Sequence, residues 1–190
     1  MKLEFLNTRF IYGPKVQIGN VVQYYNSNFA GNPDIDKWHS NLRRANIVIP
    51  DNNMALDMKN IGCNVKWTEL PKDTSRMSQD QIEQFVPRPF VSIMLKYGKD
   101  PNKWPKVFLA REGMPALLLD PDNVGDVDTI KVDYINVLCN TYEKDPGHIT
   151  LYVDTMLVVP KTRTDPIWLQ SFMQPQVTSD EPGFDLPFDV

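Results

Sequence analysis

Cysteine is scarce in this chain, and long apolar runs are absent. The two cysteines among 190 residues, Cys63 and Cys139, are far apart and lie in strand-like segments, which predicts buried apolar side chains instead of a disulfide framework. No apolar run approaches the length of a membrane span, and Met1–Phe5 lacks the apolar stretch of a signal peptide. We therefore expect a protein of a reducing cytoplasm with no membrane partner.

Residues for catalysis and metal binding are also sparse. The chain has two histidines, and these are too scattered relative to the cysteines to show the spacing of zinc ligands. Neither a nucleophile–base pattern nor a glycine-rich phosphate loop occurs in the sequence. We expect no enzymatic activity and no cofactor or metal.

One acidic segment, Asp120–Asp128, resembles a calcium loop at its first, third and sixth positions. Val124 stands at the fifth position and Lys131 at the twelfth, where a bidentate glutamate is required, so the calcium motif fails. The same carboxylates could hold two magnesium ions for nuclease chemistry, but a turn leading into a strand accounts equally well for this composition. We favour the turn, and a nuclease is the most distant of the functions considered.

Alternating apolar residues predict a mainly β protein, and residues 90–97 form its clearest strand. One face of this strand is apolar, and the other mixes rings, polar groups and a base. The apolar face carries Val91, Ile93, Leu95 and Tyr97, and the opposite face carries Phe90, Ser92, Met94 and Lys96.

Two longer segments, residues 127–138 and 148–159, predict a hairpin around Lys144–Gly147. Their predicted core faces carry Ile130, Val132 and Tyr134 in the first segment, and Ile149, Leu151, Val153, Leu157 and Val159 in the second. Weaker strand patterns cover residues 3–11, 44–49, 63–70 and 106–111. We therefore expect five or six strands.

Residues 52–61 predict one short helix. Asp51 can cap its free N–H groups, Met54, Met58 and Ile61 share a face, and Gly62 ends it. Short strands punctuated by proline and glycine suit a β-sandwich or a partly open barrel of the oligonucleotide-binding (OB) type, and periodicity alone leaves both open.

A basic stretch runs from Arg88 to Arg111. It holds one acid, Asp100, and six bases, for a net charge of +5, and Phe90, Tyr97 and Trp104 are interleaved with those bases. Single-stranded nucleic acid requires this combination, because cations follow its phosphates and unpaired bases stack on flat rings, at about 1–3 kcal/mol per base. The alternative is a solvated hairpin whose tryptophan folds onto its own sheet, and the stretch alone does not decide between them.

A second basic and aromatic cluster, Trp38–Arg44, precedes the strand at 45–49. Its adjacent arginines, Arg43 and Arg44, stand where a strand begins and are well placed to reach phosphate. Upstream, the Asn-rich residues 23–31 add three rings in a stretch that looks too hydrophilic for a core, which predicts a binding loop. Each ring could instead pack against the edge of the sheet.

The last eleven residues contain four acids, two prolines, two phenylalanines and no base. The rest of the chain balances 20 acids with 20 lysines and arginines, so the net charge of −4 belongs to this tail. Prolines block helix and strand pairing, and an extended segment cannot bury its own apolar side chains. The composition suits docking into a basic, apolar pocket on a partner, with a frayed terminus as the alternative. The candidate contact residues are Asp180, Glu181, Phe184, Asp185, Leu186 and Phe188.

Several short motifs occur in order over roughly residues 5–160. They are Asn28–Gly31, Arg44–Asp51, Ala55–Met58, Gly62–Lys66, Pro105–Val107, Val127–Asp128 and Gly147–Tyr152. In order and spacing they resemble the bacteriophage single-stranded DNA-binding proteins of the OB fold, although Asn46 and Cys63 stand where that family usually has Phe and Trp. Asp185–Phe188 resembles the acidic, Phe-terminated tail by which such proteins recruit replication and repair enzymes, but here Asp189 and Val190 follow.

The resemblance implies a mainly β, five- or six-stranded OB-fold-like barrel with one short inserted helix. This domain would cover residues 1–163, with a linker over 164–177 and a disordered acidic tail over 178–190. The implied function is sequence-independent binding of single-stranded DNA in viral replication, recombination or repair, in the host cytoplasm, with partner proteins held by the tail. A homodimer through an exposed edge strand stays open.

The residues predicted to contact nucleic acid are of two kinds. For phosphate they are Arg43, Arg44, Lys66, Arg88, Lys96, Lys99, Lys103 and Lys106, and for base stacking they are Trp38, Phe90, Tyr97 and Trp104. The main alternative function is a phage adaptor or inhibitor that binds a host replication or repair protein through the barrel and tail.

Overall fold

The computed structural model describes residues 1–11, 13, 15–36 and 42–161, and these form ten strands and two short α-helices. The strands are β1 (Lys2–Thr8), β2 (Lys15–Ile18), β3 (Val21–Tyr24), β4 (Arg43–Val48), β5 (Lys66–Trp67), β6 (Pro89–Leu95), β7 (Lys106–Arg111), β8 (Met114–Leu119), β9 (Val132–Asp145) and β10 (His148–Pro160). The helices are α1 (Asn52–Asn60) and α2 (Gln79–Glu83). Trp38, the linker and the acidic tail lie outside the described residues.

Eight strands form one mixed sheet in which β6 and β10 each pair with three other strands. The path runs β1-β9-β10-β6-β4, with β5 beside β6, β7 beside β10 and β8 beside β7. β10 runs parallel to β6 and β7, and the other pairs in this sheet are antiparallel. The strands β2 and β3 form a separate hairpin. The mainly β prediction is confirmed, whereas the expected count of five or six strands and one helix is too low.

The two ends of the strand path approach each other. Just beyond β1, the N–H of Ile11 donates to the carbonyl of Asn46, and the N–H of Val48 donates to the carbonyl of Arg9, each over 2.9 Å. Both partners lie on β4, the last strand of the path. The segment that follows the first strand of the path is therefore joined to the last strand by backbone hydrogen bonds.

Predictions for β6 and α1 are confirmed. Val91, Ile93 and Leu95 are buried and alternate with half-buried neighbours. Asp51 caps α1 by accepting hydrogen bonds from the N–H groups of Asn53 and Met54. Gly62 follows the C-cap residue Ile61 and has φ +104°, and a Cβ there would lie 2.5 Å from the carbonyl oxygen of Gly147. Glycine is therefore required where α1 meets the β9–β10 turn.

The predicted core faces of β9 and β10 are partly wrong. The pairing of the two strands shifts between Val153 and Thr155, because a bulge there adds one residue. Beyond this bulge Met156 and Val158 enter the main core, while Leu157 packs with Phe108 in a second cluster on the opposite face. On β9 the buried apolar residues are Ile135, Val137 and Cys139, so Tyr134 lies on the face opposite to that predicted.

Other sequence-based expectations meet mixed outcomes. Both cysteines are free and buried, as predicted. Phe29, predicted in a binding loop, is fully buried and packs edge-on against Phe10, with ring centroids 5.9 Å apart. Among the residues that the structure describes, no helix combines the length and the apolar character needed to span a membrane.

Candidate nucleic-acid interface

The pleat that buries alternate residues of β6 turns the others toward the opposite side of the sheet. Residues opposite one another in register share a face, and β4, β6, β10 and β9 contribute to this side. We call it the outer face, and it carries Arg44, Asn46, Val48, Phe90, Ser92, Met94, Asn140, Tyr142 and Tyr152. Ser92 and Asn46 are joined across it by a 2.5 Å hydrogen bond.

Three aromatic rings lie along the outer face. Tyr152 is in register with Met94 on β6 and Asn140 on β9. Its ring meets that of Tyr142 edge-on, with centroids 6.1 Å apart and planes at 70°, and Tyr142 is 55% exposed. Phe90, half-buried, stands farther along β6. Rings on a sheet surface are suitable platforms for unpaired bases.

Cations lie beside these rings. The ammonium nitrogen of Lys96 is 5.6 Å from the centre of the Tyr152 ring, and Lys66 on β5 stands directly opposite Phe90. Both lysines are exposed. An ammonium group next to a ring can pair with the phosphate of a nucleotide whose base stacks on that ring. This part of the surface therefore combines the two interactions that a single strand requires.

Tyr97 and Trp104 pack on each other instead of lying open to solvent. Their rings meet edge-on at 5.6 Å, the indole N–H of Trp104 donates to the carbonyl of Gly98 at 2.7 Å, and the guanidinium of Arg43 lies 5.2 Å from the Tyr97 ring. Burial raises the pKa of Tyr97 to about 12. The tryptophan therefore packs on the protein itself, as in the alternative, but the segment is not a hairpin, because β6 and β7 each pair with β10 and not with each other.

The two adjacent arginines already have partners within the protein. Nη1 of Arg43 donates to the carbonyls of Phe29 and Pro121, at 2.9 and 2.7 Å. Nε and Nη2 of Arg44 each lie 2.7 Å from the same carboxylate oxygen of Asp36. Both arginines are half-buried, so a phosphate would have to compete with these contacts.

A buried carboxylate, Asp128, holds the loop before β4 in place. It accepts hydrogen bonds from the Ser27 hydroxyl at 2.5 Å and from the N–H groups of Phe29 and Ala30 at 2.6 and 2.9 Å. Burial raises its pKa, even though these donors favour the ionised form. Asp128 thereby positions the segment that supplies the Phe29 carbonyl to Arg43.

The rest of the acidic segment forms the turn that the sequence predicts. Asp120 accepts from the N–H groups of Asp122 and Asn123, and Asn123 accepts from the N–H of Asp120. A 3₁₀ turn follows over Val124–Asp128. Within the described part of the chain, no group of three or more His, Cys, Asp or Glu side chains is arranged to hold a metal ion.

The structure brings together some of the predicted contact residues and separates others. Phe90, Lys66 and Lys96 belong to the outer face or its border. The remaining bases are exposed elsewhere: Arg88 precedes β6, Lys99 and Lys103 lie on the loop after it, and Lys106 begins β7. Sequence reasoning missed Tyr142 and Tyr152 as site residues. Alternation about Leu151 and Val153 would have placed Tyr152 opposite the core.

No model of a known protein family matches the chain, and no curated protein matches it. Its function is therefore inferred from its own side chains.

Proposed function

We propose that this chain is a virus-encoded, sequence-independent single-stranded DNA-binding protein that acts in DNA replication, recombination or repair without chemistry of its own. The observation that carries the proposal is the outer face, where Phe90, Tyr142 and Tyr152 lie beside Lys66 and Lys96. Binding on this face would not depend on the DNA sequence, because every base has a flat face that can stack on a ring. Duplex DNA, whose bases are already stacked, could use only the charges.

We also propose that the sheet curls into an OB-type barrel, with the outer face as its binding surface. The support for this is the pair of backbone hydrogen bonds that join residues 9 and 11 to β4, at the far end of the strand path. The motifs similar to those of phage single-strand binders agree with it.

The proposal is tested by titrating labelled oligothymidine with the full-length protein and following fluorescence anisotropy. We expect the logarithm of the affinity to fall linearly with the logarithm of the salt concentration. The slope should be about −0.7 for each phosphate contact. Unlabelled duplex of equal length should fail to displace the oligonucleotide. Lack of binding at low salt, both with and without residues 178–190, would refute the proposal.

The acidic tail is proposed to recruit partner proteins and to compete with DNA. We expect deletion of residues 178–190 to tighten binding to oligothymidine, because four negative charges are removed from the neighbourhood of the DNA. The same titration at low and high salt measures the effect, which should shrink as salt rises. A full-length control with Phe184→Ala and Phe188→Ala keeps the charge. Unchanged or weaker affinity of the truncated chain would rule out competition.

A second candidate function is an adaptor or inhibitor that binds a host protein. The observation in its favour is the β2–β3 hairpin, which exposes Val21, Val22 and Tyr24 to 64%, 45% and 70%. Apolar groups exposed together are typical of protein contacts. Alanine at Lys66, Lys96 and Tyr152 separates the two functions, because these side chains belong to the outer face and only a DNA binder should lose affinity for oligonucleotides.

A further inference from the structure

A row of side chains crosses one end of the outer face and ends at Arg9. Phe90 on β6 stands opposite Val48 on β4, and the N–H of Val48 donates to the carbonyl of Arg9 over 2.9 Å. The next pair along these segments, Phe10 and Ile47, is antiparallel, and both side chains pack in the main core. Alternation therefore puts Arg9 and Val48 on the opposite side, which is the outer face.

A bulge in β1 brings Arg9 to this position. β1 pairs with β9, and its register shifts between Phe5 and Thr8. Asn7, inside the bulge, has φ +49°, a left-handed conformation that asparagine adopts more readily than most residues. The segment that follows pairs with β4 through residues 9 and 11. The change of direction thus adds a cation to the end of the outer face.

Arg88 reaches the same place from β6. Its N–H donates to the Thr68 hydroxyl at 2.8 Å, and its carbonyl accepts from the N–H of Thr68 at 2.9 Å, so its backbone is fixed just before the strand begins. Arg88 is two positions before Phe90, so alternation puts its side chain on the same side, roughly 7 Å farther along. Arg9 and Arg88 line one open cavity of about 410 Å³.

The cavity is rich in hydrogen-bond donors. Within the described part of the chain, the guanidinium groups of Arg9 and Arg88 have no hydrogen-bond or ion-pair partner. Asn7 and Asn52 also line the cavity, and no carboxylate of the described residues does. Guanidinium groups that have no carboxylate beside them bind an oxyanion through paired, charge-assisted hydrogen bonds.

The position of the cavity favours a phosphate of the strand that crosses the outer face. A strand that runs along β6 from Tyr152 to Phe90 meets Arg88 next. Val48 and Val86 line the cavity, and Val86 is 68% exposed, so a sugar finds an apolar contact there. No aromatic ring of the described residues lines the cavity, so it suits the DNA backbone and not a stacked base.

We propose that the Arg9–Arg88 cavity is a phosphate site, in which the two guanidinium groups hold one phosphodiester group of the bound single strand. The strand passes Phe90 and leaves the outer face through the cavity, where its sugar packs on Val48 and Val86. This inference rests on the proposed function and adds to it the end of the sheet at which the strand leaves.

Anisotropy titrations of oligothymidine with the full-length protein test the site. Arg9→Ala and Arg88→Ala should each lower the affinity roughly tenfold, the scale of a hydrogen bond to a charged group. The combined variant should lower it by clearly less than the product of the two effects, because both groups hold the same phosphate. The magnitude of its salt slope should fall by about 0.7, which corresponds to one phosphate.

Two further variants make the test specific. Arg88→Lys keeps the charge but loses the paired hydrogen bonds, so it should keep the salt slope and lose part of the affinity. Lys15→Ala is the matched control, because it removes an exposed base from the separate β2–β3 hairpin. It should leave both the affinity and the slope unchanged.

Cross-linking locates the strand. Val86→p-benzoylphenylalanine places a photoreactive group at the cavity, and under ultraviolet light it should form a covalent adduct with labelled oligothymidine. Arg88→Glu in the same chain should suppress this adduct. Val21→p-benzoylphenylalanine is the control, because Val21 is 64% exposed but lies on the β2–β3 hairpin, and it should form no adduct.

The outcomes separate failure of this site from failure of the proposed function. Unchanged affinity and slope in the combined variant, or no adduct at position 86 while oligothymidine still binds, would overturn the site and leave the function standing. If the combined variant instead loses binding to polyglutamate alone, the cavity is a site for acidic peptides and the proposal is wrong. Absence of oligothymidine binding by the unaltered protein would refute both.

Discussion

Replacing Tyr152 by alanine is expected to weaken binding to oligothymidine roughly five- to a hundredfold, since loss of one stacked base costs about 1–3 kcal/mol. Tyr152 is central to the outer face, where it contacts Tyr142 and lies beneath the Lys96 ammonium group. Stacking involves no counterion release. The slope of log affinity against log salt should therefore stay unchanged, and anisotropy titrations at several salt concentrations measure both quantities.

Three companion variants make this prediction specific. Tyr152→Phe keeps the flat ring and should retain most of the affinity. Lys96→Ala should instead reduce the salt slope by about 0.7, because one phosphate contact is lost. Tyr24→Ala removes a ring that is more exposed but lies on the separate β2–β3 hairpin, and it should leave binding unchanged. If Tyr24→Ala and Tyr152→Ala have equal effects, the outer face is not the binding surface.

Replacing Asp128 by alanine is expected to reduce the free energy of unfolding by about 3–5 kcal/mol, because buried donors without an acceptor cost about 1–3 kcal/mol each. The variant leaves the N–H groups of Phe29 and Ala30 and the Ser27 hydroxyl without this acceptor. Urea unfolding followed by circular dichroism measures the change. Asp128→Asn keeps one acceptor oxygen and should cost less, and equal costs for both variants would contradict this account.

The dependence of stability on pH provides a second readout for Asp128. Burial raises its pKa in the folded protein above the ordinary value of 3.8, so the folded state holds this proton more tightly than the unfolded state. The contribution of this proton to the free energy of unfolding is therefore complete below pH 3.8, and it is lost as the pH rises through the pKa of the folded state. Asp128→Asn should remove this component, so the difference in stability between wild type and variant should change across that pH interval.

Local sequence patterns predicted β6 and α1, because each of these elements depends on a single local pattern. Strict alternation gave the buried face of β6, and an acidic cap followed by glycine gave α1. The same alternation misled on β10, because the bulge near Asp154 shifts its phase. A bulge depends on how two strands pair, which a single segment does not specify.

The candidate site was predictable to a smaller extent. The aromatic and basic residues of β6 were found because they alternate with its core residues. Arg43 and Arg44 looked suited to phosphate, but their partners come from other parts of the chain: Pro121 is 78 positions from Arg43. The polar segment around Phe29 looked like a surface loop, because its anchor, Asp128, lies 99 positions away. Contacts of such sequence separation leave no local periodic signal.

The central position of β10 has a consequence for how the protein is made. β10 pairs with β9, β6 and β7, yet it follows all three along the chain. During synthesis, β6 and β7 therefore emerge before the strand that joins them exists. The edges of β6 and β7 that pair with β10 stay unpaired until residues 148–160 have been translated. Until then these edges can associate with other nascent chains. The sheet is completed only after β10 has emerged, and factors that protect unpaired strand edges are expected to raise the yield of folded protein.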